Sequence, residues 1–163
     1  MLQFRVLRLK EPKMNQSSTT IRRATRSDQR RVEQLLSSLH LPTAGVADWI
    51  DRFWVADHAG SPVGVAGVEQ YGNAALLRSV AVDPSWRDTG IGRTLVETAL
   101  ATARAEGADS VYLLTTTAER YFPRFGFERI TRDEVPDSLR ESVEFREACP
   151  ASAVVMRKAM TAN

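Results

Sequence analysis

Cysteine is almost missing from this chain of 163 residues, where Cys149 stands alone. One thiol forms no intrachain disulfide, builds no thiolate cage for a metal or metalloid, and suits a reducing compartment. Cys149 therefore reads as a packed small hydrophobe. Histidine is as sparse: His40 and His58 lie far apart without ligand partners, so no metal is assigned. Long apolar runs are lacking too. Nothing approaches the ~20 apolar residues a membrane-crossing helix needs, so no membrane partner is expected. Neither sign of charge dominates, with 22 basic and 20 acidic residues and a net charge of +2. The excess sits in residues 1–18, where Arg5, Arg8, Lys10 and Lys13 face only Glu11, a balance of +3 that leaves the other 145 residues at −1. The pI near 9.0 thus belongs to a tail, and no nucleic-acid partner is expected.

That tail lacks the continuous apolar core and small-residue cleavage site of a signal peptide. Residues 1–18 read as a basic tail open to disorder, and Met14 offers a second start. Residues 19–163 suit a single domain, and a cytoplasmic setting is the expectation.

One dense phrase carries most of the remaining information. Val80-Ala81-Val82 reads as the end of an apolar strand, Asp83-Pro84 as a turn, and Arg87-x-x-Gly90-x-Gly92 as the opening of a helix. Ile91, Leu95, Val96, Ala99, Leu100 and Ala103 then recur on one helical face. Glycines ahead of a helix clear side chains from the N–H groups a phosphate must reach, and the helix dipole favours the anion. A Walker loop needs Lys-Ser/Thr after its second glycine, whereas Arg93-Thr94 follow here at shorter spacing. A dinucleotide fingerprint needs a third glycine where Leu95 stands.

Around this phrase the periodicity predicts a strand at Thr20–Ala24 and a helix capped by Ser27 or Asp28 that buries Val32, Leu35, Leu36 and Leu39. A short helix is expected around Asp48–Asp51. Phe53–Asp57 and Val63–Glu69 form a hairpin around Ala59-Gly60-Ser61-Pro62, and Ala75–Val82 follows. The long helix runs to Glu106 and stops at Gly107. Val111–Thr115 is a strand, Ala118–Arg124 a short helix ending near Gly126, Pro136–Glu147 a charged surface helix, and Ala153–Met156 a last strand. The class is α/β, more closely α+β, with no internal repeat.

The phrase resembles motif A of the Gcn5-related N-acetyltransferases, the GNAT family, which grips the pyrophosphate of acetyl-coenzyme A. The resemblance covers most of residues 20–160. Leu77-Arg78-Ser79-Val80-Ala81-Val82 precedes the motif, and Leu114-Thr115-Thr116 with Phe122-x-x-x-Gly126-Phe127 follows, a pattern similar to the acetyltransferase domain of N-acetylglutamate synthase. Leu41-Pro42-Thr43-x-Gly45-Val46 and Cys149-Pro150-Ala151-Ser152-Ala153-Val154 look like the ArsN-type arsenic-resistance N-acetyltransferases. That group acetylates the α-amine of arsinothricin, an arsenical glutamate mimic. The resemblance implies a GNAT fold: a mixed, mostly antiparallel central sheet flanked by helices, with splayed strands that bind acetyl-CoA. It implies acetyl-CoA as cosubstrate, no metal, a small amino acid as substrate, and pairing as a homodimer.

Acetyl transfer to an amine needs a deprotonated amine, alignment, oxyanion stabilisation and a leaving thiolate. Carried over from the family, Val80 and Val82 would pair through their backbones with the pantetheine arm, and the Val80 N–H is the candidate oxyanion donor. Both side chains also suit plain core. Backbone from Arg87 through Asp88, Thr89, Gly90 and Ile91 to Gly92 would hold the phosphates, with the Arg87 and Arg93 guanidinium groups near them; Arg93 also reads as a solvated helix residue. Arg78 interrupts an apolar strand, so it faces solvent, pairs with a carboxylate, or lines the cleft for an anionic substrate, with Ser79 beside it. Glu69 is the candidate base, against plain solvation at a strand end. Many relatives carry tyrosine four residues before the glycine of Gly-Phe, where this chain has Phe122. Tyr121 beside it is the candidate acid, but it points about 100° round a helix from that position and reads equally as a hydrogen-bonded core or surface tyrosine; Phe122 counts with Thr116 among cofactor contacts. Thr115 is a candidate substrate contact, although threonine also simply favours strands. Thr43 and Ser152 join it through the subgroup phrases alone. The expected activity is acetylation of the α-amine of a small anionic amino acid, arsinothricin first. Glutamate or phosphinothricin is the runner-up, and a non-catalytic CoA-binding sensor the rival of another class.

Overall fold

The computed structural model describes residues 19–160, so the basic tail lies outside the described residues. The elements run β1 (Thr19–Arg23), α1 (Gln29–Ser38), α2 (Val46–Trp49), β2 (Phe53–His58), β3 (Ser61–Tyr71), β4 (Ala74–Val82), α3 (Ile91–Ala105), β5 (Ser110–Thr115), β6 (Glu128–Ile130), α4 (Asp137–Arg140) and β7 (Val154–Ala159), with short 3-10 turns between several of them. The seven strands form one sheet ordered β1-β2-β3-β4-β5-β7-β6. Every pairing is antiparallel except β4 with β5. This is the mixed, mostly antiparallel sheet expected.

β3 reads as a nearly unbroken apolar run because both of its faces are covered. On one side α3 buries all six stripe residues against Ala56, Val63, Ala66, Val68 and Leu77. On the other, α1 and α2 cover Phe53, Val55 and Val65 with Val32, Leu35, Leu36 and Val46. Two glycines allow this close packing. A Cβ on Gly64 would lie 2.9 Å from Leu95 Cδ1, and one on Gly67 would lie 2.4 Å from Phe53 Cε1.

Several expected boundaries move, each for a physical reason. The β2–β3 turn has two residues, Ala59 and Gly60, both at positive φ, so β3 begins at Ser61. Pro62 enters the strand because it faces Asp57 where the ladder shifts register. Ala118–Arg124 is not a helix throughout. The Ala118 N–H is taken by Thr115 Oγ1 at 2.9 Å, and only Phe122–Phe125 form a 3-10 turn. Pro136–Glu147 breaks after Arg140 and resumes as a π-helical turn, Glu144–Ala148. Leu139, Ser142 and Glu144 are buried, and a regular exposed helix could not turn all three inward. β7 continues to Ala159 because all six residues of β5 pair with it.

The feature that positions the site is a failure of pairing. β4 and β5 share only three rungs, Ala74 with Ser110, Ala75 with Val111 and Leu76 with Tyr112. Beyond them β4 stays with β3 and β5 with β7, and the two strands part.

Candidate active site

A cleft of about 960 Å³ opens where the strands part. Leu77 to Val82 form one wall and Leu113 to Thr117 the other. On the β4 wall Gly67 pairs with Arg78 and Val65 with Ala81, so Ser79 and Val80 share one gap in the register. Ser79 takes φ +57°, a left-handed conformation that costs a non-glycine residue roughly 1–3 kcal/mol. This bulge bends the strand at the point where Val80 lines the cleft.

The turn after β4 is fixed by Asp83, whose Oδ1 accepts the Ser85 N–H at 2.8 Å, and by Trp86, buried against the His58 ring with centroids 4.6 Å apart. Asp88 and Gly90 have φ +61° and +84°, which brings the chain round to start α3. Thr94 N–H makes the first helical bond, 3.1 Å to the Gly90 carbonyl. The N–H groups of Ile91, Gly92 and Arg93 therefore lack intrahelical acceptors. A Cβ on Gly90 would meet nothing within 4 Å, so this glycine leaves open room beside the helix start. A Cβ on Gly92 would lie 3.2 Å from the Tyr121 hydroxyl and 3.4 Å from Val82 Cγ2. An open, unscreened helix terminus at the mouth of a strand gap fits a pyrophosphate followed by an extended pantetheine chain.

Most of the expected cofactor contacts come together here. Val80, Val82, Arg87, Asp88, Gly90, Ile91, Gly92 and Arg93 line the cleft from one side, Thr116 and Phe122 from the other. Thr89 is turned back, with its hydroxyl bonded to the Trp86 carbonyl. Arg87 is exposed, and the exposed Arg93 pairs with Glu97 at 3.0 Å along the helix. Tyr121 also lines the cleft. Its ring packs on Phe122 and Phe125, Arg124 lies over its face, and burial raises the pKa of its hydroxyl.

Deeper in the cleft lies a cluster of buried charge. Arg78 is not solvent-facing: its Nη1 donates to Glu69 Oε2 at 2.7 Å, Nη2 to the Ala44 carbonyl at 2.7 Å, and Nε to Ser79 Oγ at 3.0 Å. Tyr71 donates its hydroxyl to Glu69 Oε1. Both Glu69 oxygens are thereby occupied, and Glu69, 1% exposed, does not form part of the cleft wall. Gly45 fits against this pair, since a Cβ there would lie 2.9 Å from Arg78 Nη1. Of the three settings open to Arg78, solvent is excluded, while the ion pair and the cleft wall are both found.

The residue missed from the sequence is Glu144. It is 4% exposed, lines the cleft, and places Oε1 3.6 Å from Arg78 Nε, beyond hydrogen-bond length. Burial raises its pKa from the ordinary 4.5 to about 7, with Arg78 opposing and Glu69 adding to the rise. The only trace in the sequence is a carboxylate between Val143 and Phe145. Cys149 lines the wall beside it as a thiol, its pKa pushed by burial to about 11. Thr115 lines the cleft but spends its hydroxyl on the Ala118 N–H. Thr43 and Ser152 do not line it; Pro42, next to Thr43, and Pro150, two positions before Ser152, do. Among the described residues no group of three or more His, Cys, Asp or Glu could hold a metal. No helix there is long and apolar enough to cross a membrane.

A mixed sheet split beside a glycine-led helix terminus defines the acetyl-CoA-binding class of folds. Comparison narrows the class. The family model described as an acetyltransferase (GNAT) domain matches residues 49–129. The amino-acid acetyltransferase of Mycobacterium tuberculosis is 32% identical over 120 residues, 68% of this chain and 68% of that one. An uncharacterized N-acetyltransferase of Chlorobaculum tepidum is 35% identical over 95 residues, 58% of this chain and 61% of its own length. Among solved structures, Rv2747 from Mycobacterium tuberculosis in complex with CoA and NLQ superposes with TM-score 0.73 at 25% identity, over 87% of this chain and 99% of that one. N-acetylglutamate synthase from Neisseria gonorrhoeae, complexed with coenzyme A and N-acetyl-glutamate, gives TM-score 0.76 at 20% identity over 88% of this chain and 35% of that one, a likeness of fold alone. The chain belongs to the GNAT acetyltransferase family.

Proposed function

We propose that this chain transfers the acetyl group of acetyl-CoA to the α-amine of a small anionic amino acid, with arsinothricin the favoured acceptor. The observation that carries the reading is the alignment of the β4–β5 gap with the open N-terminus of α3. The relative named amino-acid acetyltransferase supports an amino-acid acceptor, and the phrases around Thr43 and Cys149 support arsinothricin within that class. Glutamate is the second reading, favoured by the Leu114-Thr115-Thr116 and Phe122-x-x-x-Gly126-Phe127 pattern that resembles N-acetylglutamate synthase.

Acetyl-CoA supplies an acetyl group already activated as a thioester. Backbone N–H groups from Asp88 to Gly92 hold its pyrophosphate, the Arg87 N–H being donated to the Pro84 carbonyl, with the Arg87 and Arg93 side chains as the nearby cations. Thr116 and Phe122 contact it from the β5 side. The bulge at Ser79 aims the Val80 N–H as the oxyanion donor. Tyr121, protonated at neutral pH, is the proton donor on the departing side. Arg78 and Ser79 face the acceptor's carboxylate, Arg78 through the two N–H bonds left after its three hydrogen bonds. Glu69, with both oxygens occupied, fixes the Arg78 guanidinium.

The test is free-thiol release from acetyl-CoA against arsinothricin, phosphinothricin, glutamate, a polyamine and an aminoglycoside. Preference for arsinothricin is the expected result, and preference for glutamate moves the assignment to the second reading. Cofactor binding without thiol release from any amine would make the chain a sensor and overturn the enzymatic reading.

A further inference from the structure

We propose that Glu144 is the carboxylate that receives the acceptor's ammonium group and takes its proton. This rests on the reading of the chain as an amine acetyltransferase and gives that site a proton acceptor.

Two carboxylates lie in the buried cluster, and their surroundings differ. Glu69 accepts from Tyr71 on one oxygen and from Arg78 on the other, behind the cleft wall. Glu144 stands in the wall itself, with Oε1 held to Arg78 only at 3.6 Å. Glu144, buried at the level of the cleft wall, lines the same cleft as Ser79 and Val80, where the strand bulges. A π-helical turn beginning at Glu144 sets this inward direction, a backbone device that recurs at functional sites.

Charge counting leads to the same group. Glu144 is faced by Arg78 from β4, by Glu69 and Tyr71 from β3, and by Cys149 from its own segment. Tyr71 and Cys149 are neutral, because burial raises both of their pKa values. One guanidinium therefore serves two buried carboxylates. With both ionised the cluster carries one uncompensated negative charge, which a low-dielectric site resists. The cluster is short of one cation. An ammonium group supplies it, whereas a neutral or purely anionic ligand does not. An α-amino acid brings the ammonium for Glu144 and a carboxylate for Arg78 in one molecule.

The proton step balances without a further reactant. The ammonium N–H bond breaks with its electron pair left on nitrogen, an O–H bond forms on Glu144, and the proton later passes to water. A carboxyl group titrating near neutrality suits that exchange at the pH of catalysis.

The test compares wild type with Glu144→Gln and Glu144→Asp, using the best amine of the thiol-release panel. Glu144→Gln is expected to lower kcat/KM for the amine by about 100-fold or more, with acetyl-CoA affinity unchanged by calorimetry. The acidic limb of the wild-type pH profile near pH 7 should vanish in Glu144→Gln and persist, at reduced rate, in Glu144→Asp. A Glu144→Gln protein with wild-type kcat/KM and an unchanged limb would overturn the assignment. So would equal losses in both variants accompanied by weakened acetyl-CoA binding, the mark of a merely structural residue. Wild type that binds acetyl-CoA yet releases thiol with no amine would fail the enzymatic reading before any variant is made.

Discussion

Replacing Glu144 with glutamine should make the protein more stable, and by an amount that depends on pH. In the folded chain burial raises the carboxyl from 4.5 to about 7. A raised carboxyl contributes stability that is fully present below pH 4.5 and is lost as pH climbs through about 7, because the folded state binds the proton more tightly. A glutamine of nearly the same shape never ionises and escapes that loss. The rise from 4.5 to about 7 corresponds to roughly 3 kcal/mol at full effect. At pH 5 the wild type has lost about 1 kcal/mol of this, and by pH 8 nearly all of it. The variant should therefore gain about 2–3 kcal/mol on wild type between pH 5 and pH 8, equivalent to roughly 5–10 °C in Tm for a chain of this length. Any fixed cost of placing an amide beside Arg78 cancels in the difference between the two pH values. Urea unfolding of both proteins at pH 5 and pH 8 measures it. An advantage that does not change with pH would show that Glu144 ionises normally and that the charge count around Arg78 is wrong.

Four other substitutions probe the rest of the molecule. Gly90→Glu puts a carboxylate into the room beside the start of α3 and forces a side chain to φ +84°; acetyl-CoA binding should vanish at a stability cost of about 1–2 kcal/mol, and an unchanged Kd would remove the cradle argument. Gly67→Ala places a methyl 2.4 Å from the Phe53 ring in the tightest part of the core; the urea midpoint should fall by the equivalent of about 3 kcal/mol, and a neutral result would mean the ring moves freely. Asp28 accepts two hydrogen bonds from Arg22, at 2.8 and 2.9 Å, and one from the Thr25 N–H, which lower its pKa to about 2. A lowered carboxyl stabilises above its ordinary pKa and stops doing so as pH falls through about 2. Asp28→Asn should thus cost on the order of 1–2 kcal/mol at pH 7, discounted because Arg22 is one-third exposed, and a deficit that persisted undiminished at pH 2 would refute the ion pair. Tyr121→Phe should slow turnover with acetyl-CoA affinity kept; unchanged turnover would dismiss Tyr121 as the proton donor.

The cradle was legible because its signal is local. A strand, a turn, two glycines and an amphipathic stripe lie within one run of sequence, and α3 buries the six residues its spacing selected. Six of the seven strands were legible in order, with β6, three residues long, the exception. The charge cluster was not. Arg78 announced that it needed a partner, but nothing in a linear reading ties it to Glu69 across a hairpin or to Glu144, 66 positions away. Glu144 was hidden further by its setting among Arg140, Glu141, Arg146 and Glu147, which suggest a solvated face. The π-helical turn abolishes the helical period on which that reading depended. Thr43 and Ser152, chosen through their phrases alone, lie one and two positions from Pro42 and Pro150, which line the cleft.

The short ladder between β4 and β5 gives this protein two strand edges in its interior. Past the third rung, each strand offers backbone donors and acceptors to the gap on the side its neighbour has left. Such edges are ordinarily found at the rim of a sheet, where proteins blunt them with charge, proline or a bulge to keep other chains from adding on. Here a bulge at Ser79 breaks the regular edge of β4 in the middle of the molecule. An extended ligand laid along the gap would act as the missing strand. It would complete the sheet from within, so that occupancy of the cleft and cohesion between the two halves of the sheet would rise together.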